Sequence, residues 1–239
     1  MITIWQRAAL QVNDYHSAPS EWFPQLYDKG YKVVHVHLQD GGRVDKEYVL
    51  RLKAIGFKVF GTIWPTRDNP AQWAEFCHTE KLRLGLQGMN CNAEDEIEAV
   101  DQEQNNYWSK QYLTKFRELM PTLPLCLNTY NGCGGIALPL WEQHGCRLLV
   151  QTFHNEELFC WNVPSVKDWA RLYGWVNSAK VKPIFAVYKR PDGTRNDAQA
   201  CIDSSNNASK TKGFLAYYIE GSFDDLTVPN KLAQGGISL

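Results

Sequence analysis

The sequence lacks the features that mark several common classes of protein. It has no run of lysine or arginine, and its 25 basic residues almost balance its 26 acidic ones, which argues against a nucleic-acid partner. It has no apolar run long enough to span a bilayer, and the N-terminal MITIWQRAAL has no basic region followed by an apolar one. We therefore predict a soluble protein with no signal peptide and no membrane insertion, cytoplasmic as made.

Cysteine motifs are also missing. The seven cysteines are scattered, odd in number and form no CxxC pair, which excludes a zinc knuckle and a dense disulfide framework. Reduced thiols are the simplest interpretation. We predict no metal and no cofactor.

The composition favours one large globular domain. A chain of 239 residues that is 44% hydrophobic can bury a substantial core, and its length fits one large α/β domain or two small ones. We prefer a single domain over residues 1–239. Aromatic residues reach 13%, with nine tryptophans, which suits stacking on sugar faces or a partner surface, although most of these rings are expected to pack in the core.

Strand-like segments alternate with amphipathic or capped helical segments. Eight strands with helices between them, spaced by about 25 to 30 residues, predict an α/β fold, a single (β/α)8 TIM barrel, with an open doubly wound sheet as the alternative. After Glu220 only a short tail remains, so the eighth helix is predicted to be short or missing. The predicted strands are 2–11, 32–39, 58–64, 84–92, 125–131, 147–154, 182–188 and 213–220.

Alternation along the strands predicts which side chains face the barrel interior. In VVHVHLQ the helix-facing side is shared by Val34, Val36 and Leu38. The alternate residues His35, His37 and Gln39 therefore point inward. The same rule in LCLNTYN places Asn128 and Tyr130 inside.

Active sites of such barrels lie at the carboxyl ends of the strands. There the sequence offers amides, histidines, aromatic rings and a few carboxylates, a mixture typical of pockets for polyhydroxylated ligands. The predicted substrate-binding residues are Trp64, Asn92, Asn128, Tyr130, Gln151, His154, Tyr188 and Tyr218.

The segment NCNAEDE after strand four carries a family resemblance. Together with the eight-strand pattern, it resembles the glycoside-hydrolase-like TIM barrels, nearest to lysozyme-type barrels and their phage-encoded relatives. In lysozyme barrels strand four ends in Asp-x-Glu, whose Glu is the catalytic acid, and Asn92-Ala93-Glu94 occupies the equivalent place. The resemblance implies a carbohydrate ligand, cell-wall or other polysaccharide, and a virion or self-assembly partner for a virion-associated protein.

The sequence departs from the family at several positions. Asn92 replaces the family Asp, and strand one has no Asp at its end unless Asp14 in the following loop takes that role. The chitinase-type DxxDxDxE run is absent, and strand seven, KPIFAVY, has no carboxylate.

Glu94 is the candidate general acid for glycoside hydrolysis. That reaction needs a protonated carboxyl group and usually a second carboxylate, for which Glu220, Asp40 and Glu156 are the candidates. Burial of Glu94 beside an aromatic ring would raise its pKa toward neutrality. The competing structural role is an acidic residue in the first turn of a helix, although Asp95 and Glu96 already serve that purpose.

Two other functions remain open. The first is a barrel that has lost catalysis and binds glycan or serves as a structural module, for instance in a phage tail. The second is a metal-dependent hydrolase, in which His35 and His37 share a metal with His154 and Glu94. Hydrogen-bonded histidines in a polar barrel interior are the simpler interpretation of the pair.

Overall fold

Eight parallel strands close into a barrel in the computed structural model of the chain, which describes residues 8–12, 22–39, 44–93, 101–130, 137–151, 163–186 and 215–218. Each strand pairs with the next, and the first pairs with both the second and the eighth. The predicted (β/α)8 barrel is therefore confirmed, and the alternative of an open sheet is wrong. The strands are β1 (Ala8–Val12), β2 (Tyr31–His37), β3 (Lys58–Ile63), β4 (Gly88–Asn92), β5 (Leu125–Tyr130), β6 (Arg147–Gln151), β7 (Val181–Ala186) and β8 (Leu215–Tyr218).

Helices fill the connections between these strands. Two of them begin at aspartates that act as caps, because the side chain of Asp45 accepts a hydrogen bond from the Glu47 N–H and that of Asp101 accepts one from the Gln104 N–H. The predicted short or missing eighth helix lies outside the described residues. The described helices are α1 (Trp22–Asp28), α2 (Lys46–Ile55), α3 (Pro70–Leu84), α4 (Gln102–Leu119), α5 (Leu138–Gln143) and α6 (Val163–Leu172), with a 3-10 turn at Ser178–Lys180.

The core lies between the barrel wall and the helix layer. Val34, Val36 and Leu38 of the β2 segment are buried in this apolar layer, and Leu125 and Leu127 of β5 lie in the same layer. The alternation predicted for β2 and β5 is therefore confirmed. Its functional consequence is that the alternate, largely polar residues of these strands are left for the barrel interior.

No helix in the described part of the chain is both long enough and apolar enough to cross a lipid bilayer.

Gly88 provides the space for an aromatic ring inside the barrel. A Cβ atom at this position would lie 2.3 Å from Cε2 of Phe60. Phe60 is the register partner of Gly88 on β3. Phe60 is fully buried, so the ring has little room to move.

We therefore expect Gly88→Ala to lower the free energy of unfolding by about 1 to 3 kcal/mol, the usual cost of overpacking. Urea denaturation followed by circular dichroism measures it. The double variant Gly88→Ala/Phe60→Leu should recover part of the loss, since the smaller side chain removes the clash. A Gly88→Ala protein as stable as wild type would contradict the close packing.

Candidate functional site

The structure describes some of the predicted site residues in full, places others by backbone register alone, and leaves the rest undescribed. Asn92, Asn128, Trp64 and Gln151 are described with their side chains, while Tyr130 and Tyr218 are placed by the backbone register alone. The remainder lie outside the described residues: Asp40, Glu94, His154, Glu156, Tyr188 and Glu220.

A first row of interior residues follows the strand register from the end of β2 to the start of β5. Strand register aligns His37 with Thr62, Thr62 with Asn90 and Asn90 with Cys126. The Asn90 Nδ2 group donates to Thr62 Oγ1 at 3.4 Å, which links β4 to β3 inside the barrel. This row supplies neutral hydrogen-bonding groups below the mouth.

A second row lies one step closer to the carboxyl ends of the strands. There Asn92 of β4 is in register with Asn128 of β5, and both are almost completely buried. Neither amide atom of Asn128, Oδ1 or Nδ2, has a hydrogen-bond partner among the described residues. Buried amides normally have partners, and the Asn128 amide has none among the described residues.

Trp64 follows β3 and is fixed at the mouth by its neighbours. Gln39 holds the main chain from both sides, because its Oε1 accepts from the Trp64 N–H at 2.6 Å and its Nε2 donates to the Trp64 carbonyl at 3.2 Å. The indole ring meets the His37 ring edge to face, with centroids 4.7 Å apart. The indole N–H of Trp64 has no hydrogen-bond partner in the described part of the chain. Trp64 thus presents a ring held in place and a free donor.

His35 lies deeper, against an aromatic wall. Its ring stacks on Phe60 with centroids 5.0 Å apart, and burial lowers the pKa of His35 to about 3. The imidazole is therefore neutral at pH 7. The described residues contain no group of three potential metal ligands, and His154 and Glu94, which the metal hypothesis adds to the pair, lie outside them.

The strand register also places the remaining aromatic positions. Tyr130 pairs with Gln151, and Gln151 pairs with Ile184. Tyr218 pairs with Val12, and Val12 pairs with Val36. The position of Tyr218 therefore belongs to the helix-facing row. The β8 position in the row of His35 is instead that of Tyr217, which pairs with Gln11, and sequence reasoning missed it.

A cavity of about 470 Å³ lies beside the mouth, between the segment after β3 and the start of α4. The Trp108 indole N–H donates to the Thr66 carbonyl at 3.2 Å, which joins the two walls. Tyr107 is 64% exposed. Sequence reasoning missed this cavity, because its walls come from distant segments; the adjacent Tyr107 and Trp108 were the only signal. Its lining residues are Arg67, Asp101, Glu103, Gln104, Asn105, Tyr107 and Trp108.

The described mouth of the barrel carries no carboxylate. The interior positions described on β2 to β5 carry amides, a hydroxyl, histidines and aromatic rings, and none of them carries a carboxylate. Such a surface can bind hydroxyl and amide groups by hydrogen bonds and by stacking. Acid catalysis at this site requires a carboxyl group from outside the described residues.

Solved structures share this fold over nearly the whole chain. A family GH18 chitinase from Cycas revoluta, in complex with allosamidin, has a TM-score of 0.69 at 11% identity and covers 96% of this chain and 99% of its own. The chain shares the TIM-barrel fold of this chitinase. The active domain 2 of a chitinase from Pyrococcus furiosus has a TM-score of 0.66 at 11% identity, covering 98% of this chain and 97% of its own.

A third similar structure is named as an inhibitor. The xylanase and alpha-amylase inhibitor protein XAIP-II from Scadoxus multiflorus has a TM-score of 0.61 at 15% identity and covers 95% of this chain and 98% of its own. No protein-family model matches the chain, and no curated protein matches it in sequence. The expected likeness to glycoside-hydrolase-like TIM barrels is confirmed at the level of the fold, while a relation to lysozyme-type and phage proteins stays a prediction.

The β4 segment differs from the chitinase-type DxxDxDxE run in a regular way. With Glu94 aligned to the Glu of that run, Gln87, Asn90 and Asn92 stand at its three Asp positions. Gln87 has a structural role, because its Oε1 accepts from the Val59 N–H at 2.8 Å. The segment therefore carries amides at the three positions where the chitinase-type run has carboxylates.

Proposed function

We propose that the chain binds carbohydrate at the carboxyl-terminal mouth of the barrel and hydrolyses it with Glu94 as the general acid. The observation that carries the binding part is the amide of Asn128, which is buried next to Asn92 in the second interior row and has no hydrogen-bond partner among the described residues. Sugars present hydroxyl and amide groups that donate and accept at once, which matches an amide whose two atoms are both available. Trp64 supplies the stacking surface for a sugar ring.

Glu94 carries the catalytic part of the proposal. It follows Asn92, the last residue of β4, by two positions, and barrel enzymes place their catalytic groups at such strand ends. Chitinases from Cycas revoluta with this fold were crystallised with (GlcNAc)3 and (GlcNAc)4, which favours chito-oligosaccharides as the first substrates to test. Glu220 or Asp40 is the proposed second carboxylate.

A non-catalytic glycan-binding barrel is the second candidate. The amides at positions 87, 90 and 92 favour it, because they leave β4 with no carboxylate to support Glu94. The inhibitor XAIP-II has the same fold, which shows that the architecture also occurs in a protein that is named for inhibition. A virion or self-assembly partner, and a metal shared by His35 and His37, remain predictions from the sequence.

Asn128 provides the test of binding. Because Asn128→Ala removes one donor and one acceptor at the proposed contact, we expect the affinity for the best oligosaccharide to fall about tenfold or more. Isothermal titration calorimetry with chito-, cello- and xylo-oligosaccharides measures the change. Gln111→Ala, on an exposed position of α4, is the matched control and should bind as wild type does. Equal affinities for the Asn128→Ala and wild-type proteins would remove this residue from the site.

A further inference from the structure

A second cavity, of about 570 Å³, opens at the opposite, amino-terminal face of the barrel. The loops that precede β5 and β6 form it, so it is separated from the mouth by the length of the strands. Three cationic or titratable side chains line it, and no carboxylate is among the lining residues. The residues that line the cavity are Arg117, Pro121, Thr122, Leu123, Pro124, Leu125, Gln143, His144, Gly145 and Arg147.

Arg117 is held rigidly at this cavity. Its Nε group donates to the His144 carbonyl at 2.9 Å, and its Nη1 group donates to the Leu123 carbonyl at 2.7 Å. Its Nη2 group lies 4.0 Å from the Cys146 sulfur. These contacts use three of the five guanidinium hydrogens, so the group is preorganised and still has donors for a ligand.

Arg147 and His144 bring further donors to the same cavity. Burial lowers the pKa of Arg147 to about 10, so its guanidinium is still charged at pH 7. Burial and the nearby Arg117 lower the pKa of His144, as expected beside a positive group. Gly145 leaves open space beside them, because a Cβ atom there would meet nothing within 4 Å.

We propose that this cavity binds an oxyanion of the phosphate class, held by Arg117 and Arg147 with His144 and Thr122 at its edge. Two half-buried guanidinium groups bind phosphate oxygens by charge-assisted hydrogen bonds, and two such forks in one cavity prefer a tetrahedral anion over a neutral sugar. The site is independent of the carbohydrate mouth, so either assignment can fail without the other.

The test is a pH titration of the His144 ring by NMR, with and without inorganic phosphate, on the full chain. The His144→Gln variant assigns the signal. A bound anion favours the imidazolium form, so we expect the pKa of His144 to rise by about 1 in saturating phosphate. A parallel titration with glucose 6-phosphate separates a phosphorylated sugar from free phosphate as the ligand, and binding of either supports the site.

Two variants make the result specific. Arg147→Gln should weaken phosphate binding about tenfold or more, and Arg147→Lys, which keeps the charge, serves if the first variant does not fold. Arg171→Gln, on an exposed arginine of α6 that pairs with Asp168, is the matched control and should bind as wild type does. A His144 pKa that does not respond to either ligand, or a response that persists unchanged in the Arg147 variants, overturns the proposal.

Discussion

Glu94→Gln is expected to lose about 10²- to 10⁴-fold in hydrolysis of the best oligosaccharide while it still binds that oligosaccharide. The loss is the usual contribution of a positioned general acid, because glutamine has the shape of glutamate but no acidic proton. The binding contacts proposed for Asn128 and Trp64 are unchanged in this variant. A reducing-sugar assay on chitin fragments and on bacterial cell walls measures the rate, and calorimetry measures the affinity.

The control for this experiment lies two residues further along the chain. Glu96→Gln removes the same charge from the same acidic segment, and it should leave the rate unchanged. If wild type binds but does not hydrolyse any glycan of the panel, the non-catalytic barrel replaces the enzyme. If Glu94→Gln hydrolyses as fast as wild type, the general acid is a different residue.

The architecture could be predicted because it depends on local patterns. Alternation along VVHVHLQ places His35 and His37 inside, and short strands spaced by helices close only in a few ways. The β8 segment FLAYYIE was harder, because strands covered on both faces are apolar throughout. Only the register with β1 assigns Tyr217, rather than Tyr218, to the row of His35.

The contacts of the site could not be predicted, because they join distant segments. The Gln39 side chain meets the Trp64 main chain across 25 positions, and Trp108 meets Thr66 across 42. The sequence identified Trp64 as a stacking surface but not the amide that fixes it. For the same reason Arg117 and Arg147, which belong to a helix and a strand 30 positions apart, were not recognised as neighbours.

The interior positions described from β2 to β5 carry no carboxylate, which matters more for the proposed catalysis than for the proposed binding. They supply amides, rings and a hydroxyl, which can form hydrogen bonds and stacking contacts with a sugar. A general acid also needs surroundings that raise its pKa toward neutrality. Burial provides one cause and a neighbouring carboxylate provides another, and Asn92 stands where that neighbour would be.

Asn92→Asp is therefore expected to raise the rate of hydrolysis about 10²-fold, the low end of the contribution of a positioned acid. The new carboxylate would stand two positions before Glu94 in the sequence, and a neighbouring negative charge raises the pKa of a carboxyl group and keeps it protonated at higher pH. Burying a charge at this position should cost more stability than the ~1 to 3 kcal/mol of an unsatisfied neutral polar group. Initial rates against pH measure the gain, and the basic limb of the profile should move to higher pH.

Asn128→Asp is the matched control for the added charge, and its rate is compared at saturating oligosaccharide because Asn128 is itself a proposed binding contact. Asn128 is as buried as Asn92 and lies beside it in register, so the variant carries the same charge at the same level of the barrel but on a strand that does not lead to Glu94. Its rate should not rise, although its stability should fall by a similar amount. If both variants fold and neither is faster than wild type, the amide at position 92 is not what limits catalysis. If the rate of hydrolysis rises equally in both variants, the added charge rather than its pairing with Glu94 is the cause.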